Sequence, residues 1–458
     1  MPNTALVWLR RDLRLRDHTA LAQATATHET VHIAFVYDTN ILDQLTNKHD
    51  RRLHFIHQSL EEIHRKTSCL ITLHGDPIEL IPRLADELKV DTIIAAHDDD
   101  PYALARDKVV RSKLQDRFTT VLDHLIREKN QILKDDGTPY RVFTPYSRAW
   151  RNSITPNDFR ERTPDLTKIK PPSQLDTGRL GNHPITKIGF EPTELWLASG
   201  EDAALQRLQD FLPQICAYSH NRNDPSKNGT SGLSVHLRFG TISIRECFRA
   251  AQTQPGSTKW ETELIWREFY HMLLANFPEL GEGKTFQPST NDIKWPGNPA
   301  HFEAWKAGQT GYPLVDAAMR CFKATGWMHN RLRMVVAMFL TKDLLIDWRL
   351  GEQYFAENLL DFDLASNNGG WQWSASTGAD AQPYFRIFNP ILQSEKFDSQ
   401  GTFIREWVPE LATLDNKSIH WPFQPDGTRT LETPLNYPDP IVVHKDQKDK
   451  AIALFKKP

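Results

Sequence analysis

Long apolar runs are missing from this 458-residue chain. No stretch approaches the roughly 20 residues that cross a bilayer as a helix. The apolar run nearest the N-terminus is only Ala5–Leu9, and Arg10, Arg11, Arg14 and Arg16 follow it at once. A secretory leader places its charge first and then about 7–15 apolar residues, so the chain reads as soluble and cytoplasmic, with no membrane partner. Cysteine is scarce as well. Cys69, Cys216, Cys247 and Cys321 stand far apart with no C-x-x-C pair, which excludes a disulfide scaffold and fits free thiols in a reducing compartment. An excess of one charge is also lacking: 55 Lys+Arg against 58 Asp+Glu leave −3, so any face that binds a polyanion has to be local. No internal repeat or low-complexity tract occurs, and the Lys-rich end, Lys445 to Pro458, is short.

What is plentiful is aromatic surface, with 13 Trp and 23 Phe, which serve either a large core or stacking faces. The length predicts two or three domains. Ala5–Leu9, Val31–Tyr37, Leu70–Leu73 and Thr92–Ala96 read as strands separated by amphipathic stretches such as Leu53–Ile63. That alternation predicts an α/β N-terminal domain, a parallel Rossmann-like sheet wrapped by helices, over residues 1–128. Residues 129–195, with KIKPPSQLDTGRLGNHPITKIGFEP, read as an irregular interdomain linker. From Trp196 to the end the pattern is helical, an all-α domain over 196–458, and SIRE at Ser243–Glu246 has the form of a capping box.

Three motifs mislead. GEGKT at Gly281–Thr285 has Pro278 where a phosphate-binding P-loop needs glycine, and no strand precedes it. GTSGL at Gly229–Leu233 ends in leucine where a hydrolase nucleophile elbow needs glycine. His54, His57, Glu61 and His64 share a helical face, but such clusters are more often solvated, and no metal is predicted.

Four segments carry chemistry. In ELIWREFY, a helix puts Glu263, Trp266, Arg267 and Tyr270 on one face and Ile265, Phe269 and Met272 on the other. The polar face is either the wall of a cavity for a flat aromatic ligand or an exposed face with a Glu263–Arg267 pair. GWMHNRLRMVVAMFL predicts a buried helix over Met334–Leu340 led by Asn330, Arg331 and Arg333. These polar groups are costly to bury without a phosphate- or carbonyl-bearing partner, unless they sit at an exposed helix end. DFDLASNNGGWQW clusters Asp361, Asp363 and Asn367 before Gly369–Gly370, glycines expected to end any helix and admit a ligand to the backbone. GTSGLS, Gly229 to Ser234, offers three hydroxyls and a run of backbone N–H groups that can cradle phosphate without a lysine.

Taken in order, GTSGLS, ELIWREFY, GYPLVDAAMR, GWMHNRLRM, KDLLIDWR, DFDLASNNGGWQW and PYFRIFNP resemble the FAD-binding helical domain of the photolyase and cryptochrome family. VWLRRDLRLRDHTAL is similar to the start of that family's α/β domain, so the resemblance covers nearly the whole chain and is nearest to the class I branch that repairs cyclobutane pyrimidine dimers. It implies a folded FAD whose phosphates are held by Thr230, Ser231 and Ser234, with Gly232, Leu233, Tyr218, Trp260, Glu263, Arg267, Arg333, Asp361, Asp363 and Asn367 also in the cofactor site. Relatives often carry a bulkier residue at 232, a departure expected to be tolerated. It further implies that Asn367 faces the flavin N5, that Arg333 offsets charge on a fully reduced, anionic ring, and that Trp371, Trp348 and Trp295 pass electrons to oxidised flavin. The implied partner is DNA holding a flipped-out pyrimidine dimer. Trp266 and Trp373 would sandwich the dimer, with Glu263, Asn330 and Met334 contacting it, and Arg222, Arg267, Arg331 and Gln393 would hold flanking DNA. Tyr270 shares the face of Trp266 and is placed with the substrate group.

Relatives that repair (6-4) photoproducts usually carry histidine after GW-x-H and again near Met334; this chain has Asn330 and Met334. Asn367, rather than the aspartate of plant cryptochromes, and Trp373 point to dimer repair over blue-light signalling. Folate-binding relatives show Asn-Glu before Arg-Asp, where DPYALARD here has Tyr102 and Ala103. For the antenna a deazaflavin, a folate, a second flavin or no chromophore stay open, and a monomer is expected.

Overall fold

A computed structural model describes residues 3–172, 179 and 181–456; residues 173–178 and 180 of the expected linker, and the two residues at each chain end, lie outside it. Two compact units emerge, and neither is continuous in sequence. One comprises Met1–Tyr140, Pro145–Cys216 and Ser231–Asn276, the other Arg141–Thr144, Ala217–Thr230 and Phe277–Pro458.

The first unit is built on a parallel sheet of β1 (Thr4–Leu9), β2 (Thr30–Asp38), β3 (Leu70–Gly75), β4 (Thr92–Ala96) and β5 (Phe118–Val121), in the order β3-β2-β1-β4-β5. Val7 lies opposite Ile33 on one side and Ile94 on the other. Every residue of β1 is buried, which is why it reads as a continuous apolar run rather than an alternation. Four strands stand where the sequence puts them. The fifth, FTTV, pairs with β4 at the edge of the sheet, is half-buried after Phe118, and carries too few apolar residues to signal itself. Aspartates start the connecting helices: Asp50 accepts from Arg52 N–H to open Arg51–Thr67, and Asp76 from Ile78 N–H to open Pro77–Glu87, with Pro77 in the first turn.

The N-terminal LRLRD motif is a structural tie. Arg14 Nη2 donates to Asp123 Oδ2 at 2.6 Å and Arg245 Nη2 to Asp123 Oδ1 at 3.0 Å, while Thr19 donates to the same Oδ1 from its hydroxyl at 2.7 Å. Asp17 receives Arg245 Nε at 2.9 Å and Arg249 Nη2 at 2.8 Å. Burial alone would push Asp123 up, but Arg14, Arg245 and His18 hold it well below the usual carboxylate range. The network ties the segment after β1 and the one after β5 to the helix Ile244–Gln252. Ser243 does cap that helix, accepting from Arg245 N–H at 3.1 Å, while Glu246 turns to Arg249 at 2.6 Å.

The expected linker is not irregular throughout, because Phe143–Ser153 is a helix. Its Tyr146 and Trp150 pack against Phe269 and Phe248, at ring centroid distances of 5.2 and 5.1 Å. The spacing of those aromatics carried the helical signal, but the polar residues around them diluted it.

The second unit is helical. Its core includes Trp305, Leu314, Val315, Phe322, Leu332, Val335, Val336, Trp348, Phe355 and Trp371. The expected buried helix is present as Asn330–Met338, continued by a π-helical turn over Phe339–Asp343; Val335 to Leu340 are buried while Met334 is half-buried. Gly369–Gly370 do not end a helix: Leu364–Ala375 runs straight through them. Each glycine costs the helix about 1 kcal/mol. Asp363 offsets that by accepting from Ser366 N–H, Ser376 closes the other end in a left-handed conformation (φ 65°), and Ala365, Trp371 and Gln372 are buried.

Candidate functional site

In the first unit, the helix Thr258–Asn276 divides its residues as its periodicity predicts. Glu263, Trp266, Arg267 and Tyr270 are half-buried, while Leu264, Ile265, Phe269 and Met272 are buried. The Glu263 carboxylate reaches back to Lys259 Nζ at 3.4 Å. Arg267 Nη1 donates to the His124 carbonyl at 2.6 Å, and Trp266 lies 5.5 Å from Tyr270. Trp260, buried in the first turn of the helix, packs on Phe211 at 5.2 Å. Glu268 escaped the sequence reading because it sits on the core side. It accepts from Ile126 N–H at 2.6 Å and Arg127 N–H at 3.1 Å, so it fastens a loop beside the functional face, and burial pushes it up to about 7. Ser231, Gly232, Leu233 and Ser234 form a tight loop leading into the helix Ser234–Phe239, with Gly232 at φ 61° and Leu233 N–H directed at Ser231 Oγ. At that φ a glycine is the natural residue, so the departure at 232 is accommodated.

In the second unit, Arg333 Nη2 meets both oxygens of the buried Asp361, at 2.7 and 3.0 Å, and Arg333 Nε donates to the Met328 carbonyl at 2.8 Å. Nη1 has no partner among the described residues, so the pair presents one remaining donor edge to a ligand. Asn367 Nδ2 donates to the Glu352 carbonyl at 3.1 Å, with Glu352 Oε1 at 3.4 Å, which fixes the amide so that its oxygen is turned away as an acceptor. Burial raises Glu352 to about 6. Asp363 is committed to its capping role. A Cβ placed on Gly370 would meet nothing within 4 Å, so the same helix is open at that position.

A basic neighbourhood lies around His329, also in the second unit. Burial first, then Arg331, Arg333 and Arg222, hold this histidine down to about 4. Arg331 Nη2 donates to Asn223 Oδ1 at 2.8 Å and stacks over Phe397 at 4.4 Å; Arg222 lies over the Tyr218 ring at 5.3 Å. Asn330 is exposed, with Nδ2 3.9 Å from Met334 Sδ. Thr230, Trp373 and Gln393 are half-buried, and Gln393 Oε1 has no partner among the described residues. Trp371 and Trp348 are buried in the common core, with the half-buried Trp295 packed against it. The expected residues are thus divided between the two units.

Residues 260–457 match the family described as the FAD binding domain of DNA photolyase, and residues 5–167 match the family described as DNA photolyase. The chain belongs to the DNA photolyase family. It is 40% identical to a deoxyribodipyrimidine photo-lyase from Synechococcus, over 98% of this chain and 96% of that one. Among solved structures, it is similar to a bacterial class III photolyase from Agrobacterium tumefaciens, with TM-score 0.87 and 34% identity over 99% of this chain and 97% of the other. A cryptochrome from Synechocystis is similar too, with TM-score 0.86 and 26% identity over 99% of each chain. The fold is therefore shared by proteins named photolyase and cryptochrome, and side chains have to distinguish them.

The donor set fits FAD. Each unit carries groups of the kind FAD calls for: hydroxyls and backbone N–H groups at Ser231–Ser234 on the first, and a guanidinium edge and an amide acceptor at Arg333 and Asn367 on the second. On the α/β side, the position of the folate-type pair is occupied by Tyr102, whose hydroxyl donates to Asp38 Oδ2 at 2.5 Å, and by the buried Ala103.

Proposed function

We propose that this photolyase repairs cyclobutane pyrimidine dimers in DNA using light. When bound, reduced FAD would supply one electron under illumination, enough for the two C–C bonds that join the paired pyrimidines to break before the electron is given back. The observation that carries this reading is the half-buried face of Glu263, Trp266, Arg267 and Tyr270. A carboxylate, an indole, a guanidinium and a phenol pack poorly as a core, but they suit a flat lesion that must be stacked and hydrogen-bonded away from water.

The chain's own residues then divide the work. Ser231, Ser234 and Thr230 hold the cofactor phosphates. Arg333 would offset charge on the ring, and the Asn367 amide, oriented by Glu352, would offer its oxygen to a flavin N–H and so favour the reduced state. Trp266 and Trp373 are the stacking partners of the dimer, Glu263 and Asn330 its hydrogen-bond partners, and Met334 lines the contact. Arg222, Arg331 and Gln393 take flanking DNA, phosphate suiting the arginines close to His329. The protein is read as a monomer acting in the cytoplasm on the chromosome.

The test is direct. Purified protein with reduced flavin, mixed with an oligonucleotide carrying one thymine dimer, restores the undamaged strand under near-UV or blue light and not in darkness. Protein that binds flavin but restores nothing in light sinks the repair reading and leaves a blue-light sensor. Within the repair reading, Arg222→Ala weakens DNA binding and flattens the dependence of log affinity on log salt by about 1, as the loss of one phosphate contact requires. An unchanged slope removes Arg222 from the DNA contact.

A further inference from the structure

Arg207 stands on the helix Gly200–Phe211, outside every motif that carries the family resemblance. Its guanidinium lies over the Trp196 ring at 4.9 Å. Its Nη1 sits 2.7 Å from the point that a Cβ on residue 232 would occupy. The group is half-buried and makes no hydrogen bond or ion pair among the described residues; Asp210, one turn further along the helix, is exposed and raises its affinity for a proton only against the larger effect of desolvation. A cation taken partly out of water without a paired carboxylate is costly unless an anion arrives.

Gly232 and Arg207 are complementary. The left-handed backbone at 232 disfavours a side chain, and any side chain there would collide with the guanidinium. The glycine empties the volume beside the loop and the arginine fills it from a different element. Because Ser231, Gly232, Leu233 and Ser234 are the phosphate-binding loop in the function proposed above, the anion that suits this cation is the diphosphate of the cofactor.

We propose that Arg207 is a cofactor-binding residue that gives the FAD diphosphate a charge-assisted contact beside the loop at Gly232. This rests on the reading of that loop as the phosphate site. Trp196 acts as the platform that keeps the planar guanidinium pre-positioned, and Gly232 as the residue that lets it approach.

The experiment titrates the full chain, freed of flavin, with FAD and separately with riboflavin, which lacks phosphate, at several salt concentrations, following quenching of flavin fluorescence. Arg207→Gln is expected to weaken FAD binding by about 10- to 100-fold, the range for loss of a hydrogen bond to a charged group. Riboflavin affinity stays the same, and the salt dependence of FAD binding becomes shallower. Arg207→Lys recovers part of the loss. Arg207→Met, which keeps the aliphatic stem on Trp196, gives the same loss by a second route should the glutamine variant not fold. FAD affinity unchanged in the variants, or riboflavin weakened equally, overturns the role of Arg207 while the loop reading stands. Wild-type protein that binds riboflavin as tightly as FAD overturns both.

Discussion

Asp123→Ala is expected to cost about 3–5 kcal/mol of stability, because it leaves the guanidiniums of Arg14 and Arg245 buried with one counter-charge fewer. Arg14 and Asp123 have side chains only 3% and 0% exposed, and Arg245 is 5% exposed, so water cannot step in. Asp17 still pairs with Arg245 and Arg249, which keeps the loss from being larger. Urea unfolding of the full chain reads the effect as a lower midpoint of the first transition. The sign with pH follows from the depressed carboxyl. Asp123 binds protons more weakly folded than unfolded, so its contribution is fully present above the ordinary aspartate range near pH ~4 and is lost as pH falls through the lower folded value. The wild type therefore weakens on acidification below about pH 4, and the variant, already without that contribution, weakens less over the same window. Equal stability at neutral pH would show that the network is dispensable.

Trp371→Phe is expected to abolish light-driven reduction of oxidised flavin by an external thiol, while repair by chemically reduced protein stays close to wild type. Trp371 is 2% exposed and Trp348 fully buried, whereas Trp295 is half-buried at the edge of the same core. That gradient suits a path whose inner residue gives up an electron away from water and whose outer residue recovers one from a reductant in solution. Phenylalanine keeps an aromatic body against Phe355, which meets Trp371 edge-on at 5.0 Å, but phenylalanine is far harder to oxidise than indole. Photoreduction is followed by the loss of oxidised-flavin absorbance under blue light, and repair by restoration of the dimer-bearing oligonucleotide. Photoreduction at the wild-type rate would remove Trp371 from the path; loss of both activities would recast it as a packing residue.

Most of the architecture was legible along the chain because the elements concerned carry their cause locally. Strands β1 to β4 are buried on both faces and read as short apolar runs. Glu263, Trp266, Arg267 and Tyr270 declared one helix face by spacing alone, and their common half-burial follows it. The misreadings arose where tertiary contacts outweighed local preference. Gly369 and Gly370 are poor helix residues, yet the cap at Asp363 and the buried Trp371 and Gln372 carry the helix through them. In Phe143–Ser153, three aromatic positions in a largely polar stretch looked too weak to hold a helix, and Phe269 and Phe248 give two of them a surface.

By itself, then, the sequence determined the parallel sheet, the helical region and the motifs that place the chain among photolyases, since propensity, burial pattern and motif order are properties of neighbouring residues. Only the tertiary structure decided which buried charges are satisfied and by whom. Arg14 meets Asp123 across 109 residues, Glu268 holds Ile126 across 142, and Arg207 comes to lie beside Gly232 from another helix. A carboxylate or guanidinium looks the same on paper whether it faces water or a partner. Its energy, and with it its role, is set by the dielectric and the counter-charge that the folded chain brings to it.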